Sequence, residues 1–214
     1  MFNPILFLCI YYIITYLAWS LVMCDKNKTK VIIIEGPDRV GKDTIINKLS
    51  KEFKNVNVIH ACTPSTNYSL YNFYNDGIIH ETVSDYLHGK LDAIIHNRSI
   101  YGEYVYGTKY RNMNKDYITN LIYNLECGSL RTYIPESELY FILLTSDNTD
   151  LLYNNDDGNS FSKSKDDIKE ELELFKEIHN LSGIKNKKII YVNNEDKFRS
   201  KEDIYNEVIN FINH

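Results

Sequence analysis

Val31-Ile32-Ile33-Ile34 is a short, wholly apolar, β-branched run, the pattern of a strand buried on both faces of a parallel sheet. A glycine-bearing turn follows it. From Thr44 to Phe53 the apolar positions Ile45, Ile46, Leu49 and Phe53 recur at helical spacing, so the segment reads as strand, turn, helix. The same reading predicts further strands at Val56 to His60, Asp92 to His96, Leu139 to Leu144 and Lys188 to Val192. Helical patterns lie between and after them at Glu81 to Leu87, Ile100 to Lys109, Tyr117 to Leu125, Ile168 to His179 and Ile204 to Ile212. Strands alternating with helices predict an α/β fold, a three-layer α/β/α arrangement around a five-stranded parallel sheet. No internal repeat is visible. The Asp, Asn, Gly, Ser and Lys content of Asn154 to Lys165 suits a surface loop.

Composition narrows the picture. With 214 residues, 43% of them apolar, and a net charge of −5, the chain can bury one core and lacks the positive charge that nucleic-acid binding concentrates. A small phosphorylated molecule is the better partner. Cys9, Cys24, Cys62 and Cys127 form neither a paired framework nor a C-x-x-C unit, which suits a reducing compartment, and the histidines show no metal-ligand spacing. Phe2 to Met23 is free of charged side chains and about long enough to cross a bilayer, and the basic linker with Lys26, Lys28 and Lys30 follows it. Residues 2–23 therefore read either as a membrane anchor, which would leave residues 31–214 facing the cytosol, or as an upstream extension of the reading frame. A cleaved signal peptide lacks its basic n-region here. A homodimer is left open.

The candidate chemistry begins in the first turn. Gly36-Pro37-Asp38-Arg39-Val40-Gly41-Lys42-Asp43-Thr44 fits G-x-x-x-x-G-K up to its last position, where Asp43 replaces the usual Ser or Thr. Two glycines let the backbone wrap a phosphate with its N–H groups, the lysine reaches the outer phosphates, and the next helix points its positive end at the anion. Its position between strand and helix is the context a P-loop requires. Asn97-Arg98-Ser99 follows the third predicted strand, at the carboxyl end where open parallel sheets bind ligands. The chain prefers lysine and has only five arginines, two of which, Arg39 and Arg98, fall in these two motifs. Arginine is the side chain suited to bidentate phosphate recognition.

The stretch Glu35 to Lys42 resembles the thymidylate kinase family, whose P-loop reads E-G-x-D-[RG]-x-G-K-[ST]-T, and Asn97-Arg98-Ser99 resembles its Asp-Arg-Tyr or Asp-Arg-Ser. The resemblance implies a P-loop NTPase fold and a deoxyribonucleoside monophosphate kinase using ATP and Mg²⁺, with dTMP as the expected acceptor. It places Gly36 to Thr44 on ATP, Asp38 on the acceptor's sugar hydroxyl, Arg39 on the transferred phosphoryl group and Arg98 on the acceptor phosphate. Arg39, Lys42 and Arg98 are the implied catalytic residues. In Gly102-Glu103-Tyr104-Val105-Tyr106-Gly107 it puts Tyr106 against the sugar edge, leaving no space for a 2′-hydroxyl, and it holds adenine at Asn193-Asn194-Glu195-Asp196. Asp43 and Thr44 are the candidate metal residues: the carboxylate expected at Asn97 is missing there and present at Asp43. The lid, Asn154 to Lys165, has only Lys163 and Lys165 as cations, and Cys62-Thr63-Pro64-Ser65-Thr66 lacks the arginine the family often supplies. Asn97-Arg98-Ser99-Ile100-Tyr101 also resembles the E-R-S-x-Y stretch of deoxynucleoside kinases, and a P-loop module that transfers no phosphoryl group is the remaining alternative.

Overall fold

The computed structural model describes residues 29–61, 69–156, 158 and 160–213. The apolar segment Phe2 to Met23, its basic linker up to Lys28, and Cys62 to Thr66 lie outside the described residues. Among the described residues no helix is long and apolar enough to cross a membrane.

Five strands form one parallel sheet: β1 (Lys30–Glu35), β2 (Val56–His60), β3 (Ala93–Asn97), β4 (Leu139–Thr145) and β5 (Asn186–Tyr191), in the order β2-β3-β1-β4-β5. Every predicted strand is present. Alternate side chains of a strand face opposite sides of its sheet, and the two cores divide accordingly. Val31 and Ile33 belong to one, Ile32 and Ile34 to the other. Helices α1 (Lys42–Leu49) and α7 (Lys201–Asn213) cover the second face through Ile45, Ile46, Leu49, Ile204 and Val208. Helices α3 (Ile100–Tyr110) and α4 (Lys115–Leu125) cover the first through Ile100, Tyr101, Tyr104, Ile118 and Ile122. Helices α2 (His80–His88), α5 (Thr149–Asn154) and α6 (Lys165–Leu181) complete the layers.

Departures from the sequence reading have local causes. Helix α1 starts at Lys42, earlier than its apolar pattern, because Gly41 takes a left-handed conformation (φ 79°) that turns the chain directly into the helix. The helical region before α2 is longer than expected. It begins at Leu70–Asn72, capped by Ser69, and passes through a π-helical segment, Phe73–Ile79, whose wider turn breaks the 3.6-residue period. Helix α6 begins one turn before Ile168 because Ser164 and Asp167 form a capping box.

His96, on β3, is buried, and burial pushes its imidazole down to about pKa 4. The Thr82 hydroxyl gives its proton to the Ile78 carbonyl (2.7 Å), so at 2.9 Å it accepts from His96 Nε2–H, and Nδ1 is left without a partner. Protonating Nδ1 would bury an unpaired cation. Because the folded pKa lies below the ordinary value of 6.5, the stabilisation is complete above about pH 6.5 and is lost as pH falls towards 4. The wild type should lose about 2–3 kcal/mol through this group by pH 4.5. Urea midpoints of the wild type and His96→Gln at pH 7 and 4.5 check this, and an equal acid loss in both would refute it.

Candidate active site

The carboxyl ends of β1, β3 and β4 bring the candidate residues together. Gly36 leaves β1 at φ 146° against the Leu144 carbonyl of β4, where a Cβ would sit 2.2 Å from the oxygen. Only glycine allows this closeness. Val40 is buried beside it, fixing the loop to the core, and Gly41 then presents the amino end of α1, a site for anions. Lys42 is 6% exposed and donates to the carbonyls of Gly36 and Pro37, both at 2.7 Å. Burial first, and the Arg98 guanidinium second, push its ammonium down to about pKa 8. An incoming polyphosphate would offset that cost and strengthen the positive form.

The side chain of Arg98, at the end of β3, pairs with Asp38 across the P-loop (Nη2 to Oδ1, 2.7 Å) and lies 5.9 Å from the centre of the Tyr106 ring. Its own backbone is left-handed (φ 65°), an uncommon conformation for a side chain of this size. Glu35 supplies the support. Fully buried, it accepts from Ser99 N (2.6 Å), Ser99 Oγ (2.7 Å) and Gly102 N (3.2 Å) with one oxygen, which fixes the start of α3 beyond Arg98. Burial outweighs these donors and pushes its carboxyl up to about pKa 7, while its second oxygen has no partner.

Asp43 and Asn97, the two departures from the family pattern, touch: Asn97 Nδ2 donates to Asp43 Oδ1 at 2.6 Å and lies 3.0 Å from His60 Nδ1. Asn97 Oδ1 is buried and without a partner. The Asp43 carboxylate is a hard oxygen donor of the kind that suits Mg²⁺, and Thr44, half-buried, borders the same cavity, whereas Asn97 turns its amide nitrogen towards Asp43. Among the described residues no group of three or more His, Cys, Asp or Glu could hold a metal ion.

Arg39 is held between the P-loop and the lid. Its backbone is left-handed (φ 74°), and its guanidinium enters the lid, donating to Ser160 Oγ and the Ser162 carbonyl (2.9 Å each) and pairing with Asp156 at 3.0 Å. The side chain is 3% exposed. It fastens the P-loop to the lid. Neither lid lysine lines a cavity here: Lys165 pairs with Asp150, and Lys163 precedes the cap of α6.

Two cavities meet at Asp43, Arg98 and the lid residue Phe161. The larger, about 660 Å³, is bordered by Asp38, Arg39, Gly41, Lys42 and Thr44. The smaller, about 260 Å³, lies along α3 and is bordered by His60, Tyr74, Ser99, Glu103, Tyr106 and Arg111. Tyr106 is buried, with rings of Tyr110, Phe161 and Phe175 around it. The segment Asn193–Asn194 forms a short hairpin with Lys197–Phe198, held by Asn193 side-chain bonds to Ser146 and Asp147. Tyr74 and His60, which also border the smaller cavity, lie in no motif, and Glu103 and Glu35 lie inside the family-like stretches without a role of their own having been read from them.

No protein-family model matches the sequence, and no curated protein matches it. Solved structures do. The YorR protein from Bacillus subtilis, described in complex with phosphorylated GDP, is 21% identical over 86% of this chain and 96% of that one, with a TM-score of 0.54. Thymidylate kinase from Candida albicans is 17% identical over 87% and 92% (TM-score 0.52), and a gluconokinase from Sinorhizobium meliloti 12% over 87% and 93% (0.51). The fold is that of the P-loop kinases.

Proposed function

We propose that this protein transfers the terminal phosphoryl group of ATP to a deoxyribonucleoside monophosphate, with dTMP the foremost acceptor. The observation that carries the reading is the meeting of the two cavities at Arg98, whose guanidinium is paired with Asp38 and half open to solvent. Phosphoryl transfer needs positioning and charge neutralisation more than covalent chemistry from the protein. Lys42 and the start of α1 would hold the donor phosphates, and Arg98 the acceptor phosphate. Asp38 would receive a sugar hydroxyl, and Tyr106, hemmed in by rings, would close the space beside the sugar. Asp43 and Thr44 would hold Mg²⁺, which would neutralise charge on the phosphates. Arg39, which the resemblance puts on the transferred phosphoryl group, borders the larger cavity with its guanidinium bound to the lid.

ADP release from ATP, measured with each nucleoside and each ribo- and deoxyribonucleoside monophosphate, tests the reading. Turnover should be greatest with deoxyribonucleoside monophosphates and far lower with UMP than with dUMP. Turnover of nucleosides alone would identify a deoxynucleoside kinase instead, and nucleotide binding without turnover a non-catalytic module.

The contact between Asp43 and Asn97 gives a sharper expectation. If the metal-side carboxylate has moved from the end of β3 into the P-loop, Asp43→Ser should raise the Mg²⁺ concentration needed for half-maximal rate, and adding Asn97→Asp should recover much of the loss. The coupling should exceed the ~0.5 kcal/mol typical of independent sites. Additive effects on Mg²⁺ dependence would leave Asp43 as a helix-start residue.

A further inference from the structure

The end of the smaller cavity away from the P-loop holds a charged pair for which the phosphate chemistry has no use. Glu103 lies on the face of α3 that carries Ser99, Gly102 and Tyr106, roughly one and a half turns, or ~7 Å, beyond Arg98. Its residue is 5% exposed. The Arg111 guanidinium folds back from the end of α3 to bind Glu103 Oε2, and the Tyr74 hydroxyl donates to Oε1 at 3.1 Å. Gly107, one turn further on, leaves the room this needs: a Cβ there would lie 3.2 Å from Glu103 Oε2. All three polar side chains border the cavity.

Burying a carboxylate and a guanidinium costs free energy that a salt bridge between them only partly returns, so their place in a cavity wall calls for a use. Each Glu103 oxygen has one donor and keeps acceptor capacity. Arg111 is 29% exposed and keeps donors. Together they present an ionised acceptor beside an ionised donor. A keto base, such as thymine, uracil or guanine, presents the complement: an acidic ring N–H beside a carbonyl oxygen with two lone pairs. Both bonds would be charge-assisted. An amino base, cytosine or adenine, offers a less acidic amine and a ring nitrogen with a single lone pair.

Resting on the acceptor reading above, we infer that Glu103 and Arg111, steadied by Tyr74, form the base-reading element and select nucleotides with keto bases over those with amino bases. Phosphate and base would then be read from opposite ends of one helix face. Because an amino base also offers a donor beside an acceptor, the selection rests on the more acidic imide N–H and on the register of the pair.

The experiment measures kcat/KM with ATP for dTMP, N3-methyl-dTMP, dGMP, dCMP and dAMP on the full chain, then on Glu103→Gln. Keto acceptors should exceed amino acceptors by about tenfold, and N3-methylation should cost dTMP at least a similar factor. Glu103→Gln should bring the ratio of dTMP to dCMP close to one while leaving the KM for ATP in place, and its melting temperature should fall because Arg111 loses its charged partner. Turnover of N3-methyl-dTMP close to that of dTMP overturns the inference, as does an equal loss for all acceptors in Glu103→Gln, which would mark a purely structural pair. Should Glu103→Gln fail to fold, the methylated acceptor decides on the unmodified protein. Turnover led by dCMP or dAMP overturns this inference and leaves the proposed function standing, whereas no turnover with any monophosphate overturns both.

Discussion

Arg98→Ala should lower kcat/KM for the acceptor about a hundred- to a thousandfold, with a much smaller change in the KM for ATP. The asymmetry follows from where the charges lie. In the proposed reading the donor phosphates would have Lys42 and the amino end of α1, whereas Arg98 is the guanidinium that borders both cavities. Removing it also frees the Asp38 carboxylate from its 2.7 Å partner, leaving a negative charge beside the incoming phosphate. Arg98→Lys should recover only part of the activity, since an ammonium lacks the fork that holds two oxygens at once. Asp38→Asn placed on Arg98→Ala should restore some acceptor affinity by removing the uncovered charge. Steady-state kinetics with a melting curve for each variant check this. If activity falls only in proportion to lost folded protein, Arg98 is holding the β3 turn and nothing more.

Gly36→Ala should destabilise the protein by about 3–5 kcal/mol, at the upper end for a single substitution. Two costs combine. The backbone at φ 146° lies where a side chain is rarely accommodated, and the new Cβ would lie 2.2 Å from the Leu144 carbonyl oxygen, a backbone atom in the central strand β4 that cannot swing aside. A small domain holds only ~5–15 kcal/mol in reserve, so much of the variant's stability would be gone. Gly77→Ala is the control. It has nothing within 4 Å of its added Cβ and should be neutral or stabilising by up to ~1 kcal/mol. Urea midpoints measure both, and similar values for the two would show that β4 gives way where the geometry says it does not.

The central strands β1, β3 and β4 were legible as apolar runs and the edge strands β2 and β5 by their shorter apolar stretches between turns, and the P-loop because its spacing is enforced by phosphate geometry. Arg98 was legible from its place just after β3. What escaped is what depends on direction in three dimensions. Arg39 has the right place in the chain, yet its guanidinium goes to Asp156, Ser160 and Ser162, more than 110 residues on, and no local pattern announces that. Tyr74 sits in a π-helical turn where the 3.6-residue period fails. Glu103 and Arg111, eight residues apart, meet because the Arg111 side chain folds back from the cap of α3 along the helix. The Asp43 and Asn97 departures were visible as substitutions in a pattern, and the sheet puts them in contact.

The parallel register sets Ile34 beside Asn97 and Glu35 beside Leu143, so Asp38 and Arg98, which border the larger cavity together, come from segments 60 residues apart that strand pairing brings side by side. No short stretch of this chain can bind nucleotide alone. Occupancy and folding are thus linked equilibria: a ligand that recognises only the assembled sheet end stabilises it by about 2.7 kcal/mol at a hundred times its dissociation constant. Heat therefore becomes an assay, in which each nucleotide declares its affinity by the temperature to which it carries the protein, whether or not a phosphoryl group ever moves.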